Sequence, residues 1–194
     1  GQTLHRLGHL EEAYQTLEPA YQNSHQAGEV DPEVAYAFAR VALSQGNKRA
    51  AMKALQEVVL TQPSDPAPYL DLARTLLQMP DEAVDKGRAI PLLKRALELD
   101  ARNPEAGAHL AEAYAATGKY ESAMKTYRQV LESELIQKPE WRARLAIGFG
   151  STAMKVGQVD AAIAALQEVD RAIPNRPDIL RALAEALAAA ELYQ

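Results

Sequence analysis

The stretch Tyr114-Ala-Ala-Thr-Gly-Lys-Tyr-Glu-Ser-Ala-Met-Lys-Thr-Tyr127 has the form of a helix end, a turn and the start of a second helix. Gly118 lies where the first helix would end, because glycine readily adopts the left-handed conformation that closes a helix. Ala123 and Tyr127 are four residues apart, so they fall on one face of the helix that follows. The stretch therefore predicts a pair of antiparallel helices joined by a short turn.

The same arrangement recurs along the chain. An alanine equivalent to Ala123 occurs five times, at separations of 38, 38, 34 and 39 residues, which is a period of 34 with insertions of four, four, none and five. A leucine or tyrosine follows each alanine after four residues, and a smaller apolar residue follows three residues later. A fixed period of this size is typical of stacked helical repeats. These alanines, which we call the second-helix slots, are Ala13, Ala51, Ala89, Ala123 and Ala162.

The repeat that begins at Pro32 has the fullest set of local signals. Asp31 is placed to cap the first helix, and Pro32 suits the first turn, where its missing N–H is not needed. Gly46 is expected to end this helix. Between these points the apolar residues recur every three or four positions and form one stripe, which consists of Ala35, Phe38, Ala39 and Ala42.

This pattern resembles the tetratricopeptide repeat family over essentially the whole chain. The family has small residues where neighbouring helices cross closely, once in each helix of a repeat. The second-helix slots match one series, and the matching first-helix slots are Ala39, Ala73, Ala111, Gly150 and Ala184. The resemblance implies an all-α fold, an α-solenoid of antiparallel helix pairs wound into a right-handed superhelix with the first helices on its concave face.

We divide the chain accordingly into a half repeat (1–31), full repeats (32–65, 66–103, 104–138 and 139–176) and a terminal helix (177–194), and we expect it to be a fragment of a longer protein. In the half repeat, Gly8 is expected to separate the last turn of a first helix from a second helix over 10–22. The repeat over 66–103 lacks the turn glycine. Insertions are expected around 23–30, 80–87 and 132–138.

Composition excludes several classes of function. The chain has no cysteine, which removes disulfides and thiolate chemistry, and its net charge of −5 argues against a nucleic-acid partner. No segment stays apolar for the 18 residues that a membrane helix needs, so we expect no membrane insertion. Cytoplasmic and periplasmic locations are both compatible with this composition.

Three groups of residues resemble reactive sites. The segment 148–155 (Gly-Phe-Gly-Ser-Thr-Ala-Met-Lys) looks like a phosphate-binding loop, but its glycines are predicted in mid-helix, where close packing explains them better. His5 and His9 have the spacing of a metal pair, but Gly8 is expected to break the helix between them. A basic and aromatic group lies at the start of the repeat over 139–176. It could form a nucleic-acid site, but we favour the simpler interpretation that its Trp packs against the protein and its arginines are solvated. It comprises Lys138, Trp141, Arg142 and Arg144. We expect no cofactor, no metal and no catalytic site.

The resemblance also implies where a partner would bind. On first helices that line a concave face, helical phase directs one set of residues inward, opposite the packing slots. Leu, Ile, Met and Tyr with scattered arginines suit an extended or helical peptide that has apolar anchors and some acidic residues. The candidates are Tyr36, Arg40, Leu43, Leu70, Asp71, Arg74, Leu77, His109, Glu112, Arg144, Ile147, Ser151, Met154, Lys155 and Arg181.

The leading functional hypothesis is therefore a protein–protein interaction scaffold that binds a peptide or partner segment in this groove. Two alternatives stay open: a structural spacer or self-assembly segment, and a regulatory domain of an enzyme outside this chain.

The two ends of the pattern predict a further contact. The terminal helix carries a stripe of Leu180, Leu183 and Leu187 that is expected to pack back onto the helix over 159–169. Its other faces are rich in alanine, and Tyr193 lies where a further second helix would begin. Because apolar patches are seldom left in water, we expect weak self-association through the repeat ends.

Overall fold

The structure, a computed structural model, describes residues 2–26, 30–80, 85–133 and 138–192. These residues form ten α-helices and one 3₁₀ turn (Lys86–Arg88), with no β-strand among them. The helices are α1 (Gln2–Gln26), α2 (Pro32–Ser44), α3 (Lys48–Leu60), α4 (Ala67–Leu77), α5 (Ala89–Leu99), α6 (Pro104–Ala116), α7 (Tyr120–Leu131), α8 (Pro139–Lys155), α9 (Val159–Ala172) and α10 (Pro177–Leu192). The all-α prediction is confirmed.

The chain forms two compact units, Gly1–Asp100 and Ala101–Gln194. In the first unit each helix from α1 to α5 packs against the next, and in the second unit the helices from α6 to α10 do the same. The core of the second unit consists mainly of alanines with a few large side chains, among them Tyr127, Phe149 and Leu166. The backbones approach closely because most of the facing side chains are small.

Hydrogen bonds and backbone angles confirm the predicted helix start at Asp31 and the predicted helix ends at Gly46 and Gly118. The Asp31 carboxylate accepts from the amides of Glu33 and Val34 at the start of α2. Gly46, Gly118 and Gly157 close α2, α6 and α8 with positive φ values of 78, 73 and 76°. These values favour glycine, since a Cβ atom crowds the backbone in the left-handed region.

The packing slots explain why the repeat residues must be small. The first-helix slots of α2, α4 and α6 and the second-helix slots of α3, α5, α7 and α9 are fully buried alanines or, in α8, a buried glycine. A Cβ added at Gly150 would lie 3.1 Å from Cδ1 of Leu166. The second glycine of this segment is constrained as well, since a Cβ at Gly148 would lie 2.6 Å from Oη of Tyr127. Both glycines therefore lie inside α8 for packing.

The first expectation that the structure corrects is the turn at Gly8. Helix α1 runs without a break from Gln2 to Gln26. Among the described helices, α1 packs mainly on α2, which belongs to the next repeat. No first helix of its own repeat is described beside α1, so no contact favours a chain reversal at Gly8, and a continuous helix satisfies the backbone hydrogen bonds there. The side chain of His5 lies outside the described residues.

The second correction concerns the face on which α10 packs. Leu180 and Leu187 are 45% and 44% exposed, and Ile179, Ala182 and Ala186 are buried in their place. Helix α10 packs on α8 and α9 with this second face. In α8 the residues equivalent to the leucine stripe are Ala146, Phe149 and Ala153, which are buried. We attribute the difference to pairing: α8 has α9 as its own second helix, and α10 has no such partner among the described residues. Tyr193 lies outside them.

We predict that replacing Ala123 by Leu destabilises the protein by about 1–3 kcal/mol, because the larger side chain overpacks a close helix crossing. The matched control is Ala13→Leu at the equivalent slot of α1, which is partly exposed and should cost much less. Urea unfolding followed by circular dichroism measures both free energies of unfolding. Equal costs at the two positions would contradict the assigned packing.

Candidate functional site

The first helices of the first unit, α2 and α4, carry seven of the candidate partner-binding residues. Two of these residues join the helices, since Tyr36 donates a hydrogen bond from Oη to Oδ2 of Asp71 at 2.9 Å. Asp71 also pairs with Arg74 one turn later on α4, and the guanidinium of Arg40 lies 6.0 Å from the centre of the Tyr36 ring. Burial and the charge of Asp71 raise the pKa of Tyr36, so this phenol stays a donor at neutral pH.

In the second unit a similar polar network joins α6 and α8. Arg144 binds both carboxylate oxygens of Glu112, from Nε at 2.7 Å and from a terminal nitrogen at 2.9 Å. The Nδ1 of His109 lies 2.9 Å from the same carboxylate, so it donates, because an ionised carboxylate only accepts. The ring of His109 meets Trp141 edge-on at 5.8 Å, and Arg144 lies 5.1 Å from the centre of the Trp141 ring.

This network fixes the charge of Glu112. Burial acts to raise the pKa of this carboxyl, but the hydrogen bond from His109 and the charge of Arg144 outweigh burial and hold the pKa below its ordinary value. The neighbouring Tyr127 of α7 has a raised pKa because it is desolvated and close to Glu112. At neutral pH, Glu112 is therefore an anion with Arg144 as its cationic partner.

The candidate residues differ in how far they reach solvent. His109 is 2% exposed and Leu70 is also buried, so these two side chains contribute to packing beneath the surface. Arg40, Arg144, Ser151, Lys155 and Arg181 are exposed. The remaining candidates are partly exposed: Tyr36, Leu43, Asp71, Arg74, Leu77, Glu112, Ile147 and Met154. Ile147 and Met154 pack at the edge of the second unit's core.

Trp141 belongs to this network, although the sequence indicated only that it would pack at a helix start. Its contacts with His109 and Arg144 come from the fold, since α6 and α8 bring together residues 32 positions apart. The signal that could have indicated them is the occurrence of a His and a Glu three residues apart on α6, one repeat before a Trp and an Arg with the same spacing on α8.

Two hollows lie between successive second helices, a surface on which sequence reasoning placed no site. The α3–α5 groove has a volume of about 460 Å³ and is lined by residues of α3, α4 and α5 together with Arg88 of the 3₁₀ turn, among them Val59, Leu72 and Leu92. The α7–α9 groove has a volume of about 430 Å³ and is lined by residues of α7, α8 and α9 together with Glu132, among them Arg128, Phe149 and Glu168. Both lie in the size range of protein ligand sites.

Among the described residues no cluster of His, Asp and Glu is arranged to hold a metal ion. Within the same residues, no helix combines the length and the apolar character that crossing a membrane requires.

Comparison with known proteins decides the family. Two sequence models of the tetratricopeptide repeat match adjoining segments, residues 85–146 and residues 147–194. The chain belongs to the tetratricopeptide repeat family. Its helix pairs form the α-solenoid fold of that family, and tetratricopeptide repeats generally act as non-catalytic scaffolds for protein–protein interaction. No curated protein sequence matches the chain at a significant level.

Solved structures of tetratricopeptide repeat proteins share this fold. A thermophilic member from Thermus thermophilus is 26% identical, with a TM-score of 0.61, over 97% of this chain and 95% of that one. YrrB, described as a tetratricopeptide repeat protein with an unusual peptide-binding site, is 18% identical, with a TM-score of 0.74 over 93% and 87% of the two chains. MamA is 17% identical, with a TM-score of 0.69 over 88% and 86%. The likeness to YrrB and MamA concerns the fold alone.

We predict that replacing Glu112 by Gln destabilises the fold by about 1–3 kcal/mol at pH 7, because Arg144 and His109 lose a charged acceptor. A carboxyl whose pKa is lower in the folded chain stabilises the fold above its unfolded pKa of about 4.3 and loses that effect as the pH falls through the folded value. The penalty should therefore shrink as the solution is acidified below about pH 4.

Chemical unfolding of both proteins across this pH range measures the effect. Glu185→Gln, at an exposed position of α10, is the control and should change stability by less than about 0.5 kcal/mol. A penalty for Glu112→Gln that is the same at pH 7 and pH 3 would contradict the assigned charge state.

Proposed function

We propose that this protein is a scaffold in which the first-helix face of each unit binds an extended or helical segment of a partner protein, with acidic residues beside apolar anchors. The observation that carries the proposal is the charge of that face. Five of its fifteen candidate residues are cationic and two are anionic, although the whole chain has 21 Lys and Arg against 26 Asp and Glu. Charge complementarity of this kind steers a partner and sets its orientation.

Some charged residues of this face are paired with one another, and others are exposed without an ion pair. Both anionic residues are paired with arginine, Asp71 with Arg74 and Glu112 with Arg144. Arg40 and Arg181 are exposed and form no ion pair within the described chain. In the first unit, the partly exposed Leu43 of α2 and Leu77 of α4 add apolar surface to these first helices. Arginine is one of the residue types enriched among the side chains that contribute most to interfaces.

To test this, a library of short random peptides is displayed on phage and selected on the intact protein. We expect enriched peptides to combine Asp or Glu with Leu, Ile or Phe. The double variant Arg40→Glu/Arg181→Glu should weaken their binding about tenfold, because it reverses one exposed charge on the first helices of each unit, while its helicity stays unchanged. Fluorescence anisotropy with a labelled peptide measures the dissociation constants.

The control is Arg49→Glu/Lys94→Glu, which changes the net charge equally at exposed positions of the second helices α3 and α5. It should alter the affinity by less than twofold. A similar loss in both double variants would show general charge attraction, and selection without enrichment would oppose peptide binding at this face.

A second candidate function is self-assembly, and one observation favours it. Leu180 and Leu187 of α10 are exposed, although the equivalent residues of α8, Ala146 and Ala153, are buried. At the other end, Ala13 and Leu17 of α1 are partly exposed and Ala20 is exposed, although α3, α5 and α9 bury all three equivalent residues. Docking of α10 of one copy on α1 of another would recreate an inner helix pair.

Such an association is head-to-tail, so it extends to longer oligomers instead of stopping at a dimer. We predict that the average mass in sedimentation rises steadily with concentration, and that Leu180→Gln/Leu187→Gln keeps the protein monomeric. Mixing this variant with Leu17→Gln, which blocks the opposite end, should give dimers at most. The control is Leu60→Gln, which removes an exposed leucine from α3. A wild-type monomer at high concentration would refute this candidate.

A further inference from the structure

In the first unit, one aromatic side chain fills the space between two successive second helices. Tyr21 of α1 stacks on Phe38 of α2, with ring centres 4.9 Å apart and an angle of 13° between the rings. Its hydroxyl donates to Oε2 of Glu57 on α3 at 2.7 Å. The side chain is buried, with 5% of the residue exposed. One tyrosine thereby connects three helices.

The second unit has the same surroundings without the tyrosine. Phe149 corresponds to Phe38, because each directly precedes a first-helix slot. Glu168 corresponds to Glu57, because each follows its second-helix slot by six residues. Tyr21 follows its slot by eight residues, and the residue with this spacing in α7 is Leu131.

In the second unit, leucine stands at the position of α7 that tyrosine occupies in α1. Leu131, Phe149 and Glu168 all line this hollow of about 430 Å³, so it lies where the phenol ring of a tyrosine would lie. Glu168 is exposed and makes no hydrogen bond or ion pair within the described chain. The groove thus combines an aromatic floor with an available carboxylate acceptor.

The α3–α5 groove shows what the second unit adds. Its floor is Leu72 instead of phenylalanine. The residue that follows the slot of α5 by six is Arg95, a donor that cannot accept a hydrogen bond from a hydroxyl. This hollow is of similar size but has neither the ring to stack on nor the acceptor, so it serves as an internal comparison.

We propose that the α7–α9 groove binds a tyrosine side chain of a partner protein, with the ring on Phe149 and the hydroxyl donated to Glu168. The occupant is specified by the arrangement of Tyr21, Phe38 and Glu57 in this same chain, which shows the contacts that such a ring makes at equivalent positions. Aromatic rings favour offset stacking on one another, and a buried phenol needs a polar partner. Arg128, whose guanidinium lies 5.9 Å from the centre of the Phe149 ring, closes one side.

This surface belongs to the second helices and lies apart from the first-helix face. The proposal therefore does not depend on the partner segment proposed above, and either can fail alone.

The experiment uses N-acetyl-tyrosine amide as the probe and its phenylalanine counterpart as the comparison. Methyl groups of Leu131 and Ala165, which line the groove, are observed by NMR during titration of the intact protein. We expect saturable shifts at these methyls and at none of the methyls of the α3–α5 groove. The tyrosine amide should bind roughly three- to tenfold more tightly than the phenylalanine amide, because its hydroxyl bonds a charged acceptor.

Two variants separate recognition from folding. Glu168→Gln should bring the two affinities close together, and Glu121→Gln, on an exposed part of α7 outside the groove, should leave the difference intact. Leu131→Tyr should abolish probe binding and raise the melting temperature, because it places in the second unit the ring that Tyr21 places in the first. The proposal is overturned if the wild-type methyls show no saturable shift, or if Leu131→Tyr folds and still binds the probe.

Discussion

The close crossing of helices at the small-residue slots is the constraint on which the rest of this structure depends. Helices that pack through alanine or glycine approach to the short end of the usual 8–10 Å, and a Cβ at Gly150 would already crowd Leu166 at 3.1 Å. Once the slots are fixed, every other residue has a defined place in the repeat. Residues with equal spacing from their slots therefore have comparable surroundings, as Phe38 and Phe149 do.

The first-helix face shows how desolvation divides residues between structure and recognition. Glu112 is partly buried, and a desolvated carboxylate without partners would be costly. Its bonds to His109 and Arg144 remove that cost and join α6 to α8 at the same time. Residues that the network does not use, such as Arg40 and Arg181, keep their charge in water. These exposed charges make no ion pair within the described chain, so they stay accessible to the partner segment that we propose.

Much of the fold could be predicted from sequence because its signals are local or repeat with the chain. The cap at Asp31, the turn at Gly118 and the alanine slots each follow from residue type and spacing. The errors occur where a neighbouring helix decides the outcome. Gly8 forms no turn because no first helix of the same repeat packs beside α1 in the described chain, and α10 buries Ile179 instead of Leu180 because the described residues give it no second helix of its own.

The candidate site was predicted less completely. Helical phase tells on which face of a helix a side chain lies, but it does not tell how far neighbouring helices bury that side chain. His109 has the phase of a residue on the first-helix face, and Trp141 and Glu112 nevertheless cover it. The grooves between second helices could not be found from one repeat. The α7–α9 groove is indicated by a difference between repeats at one position, where α1 has Tyr21 and α7 has Leu131. This difference can be interpreted only when the residues around the position are known.

The packing of α1 explains why Tyr21 fills the space between second helices in the first unit. Helix α1 has contacts on α2 but no first helix of its own, and its slot residue Ala13 is only partly buried. Tyr14 and Tyr21 both contact Phe38, at 5.4 and 4.9 Å between ring centres, and so add aromatic contact to a helix whose slot residue is not fully buried. Helix α7 lies against both α6 and α8. Its packing on these two helices does not require an aromatic ring at the position of Leu131. A leucine is therefore tolerated there, and a hollow remains beside it.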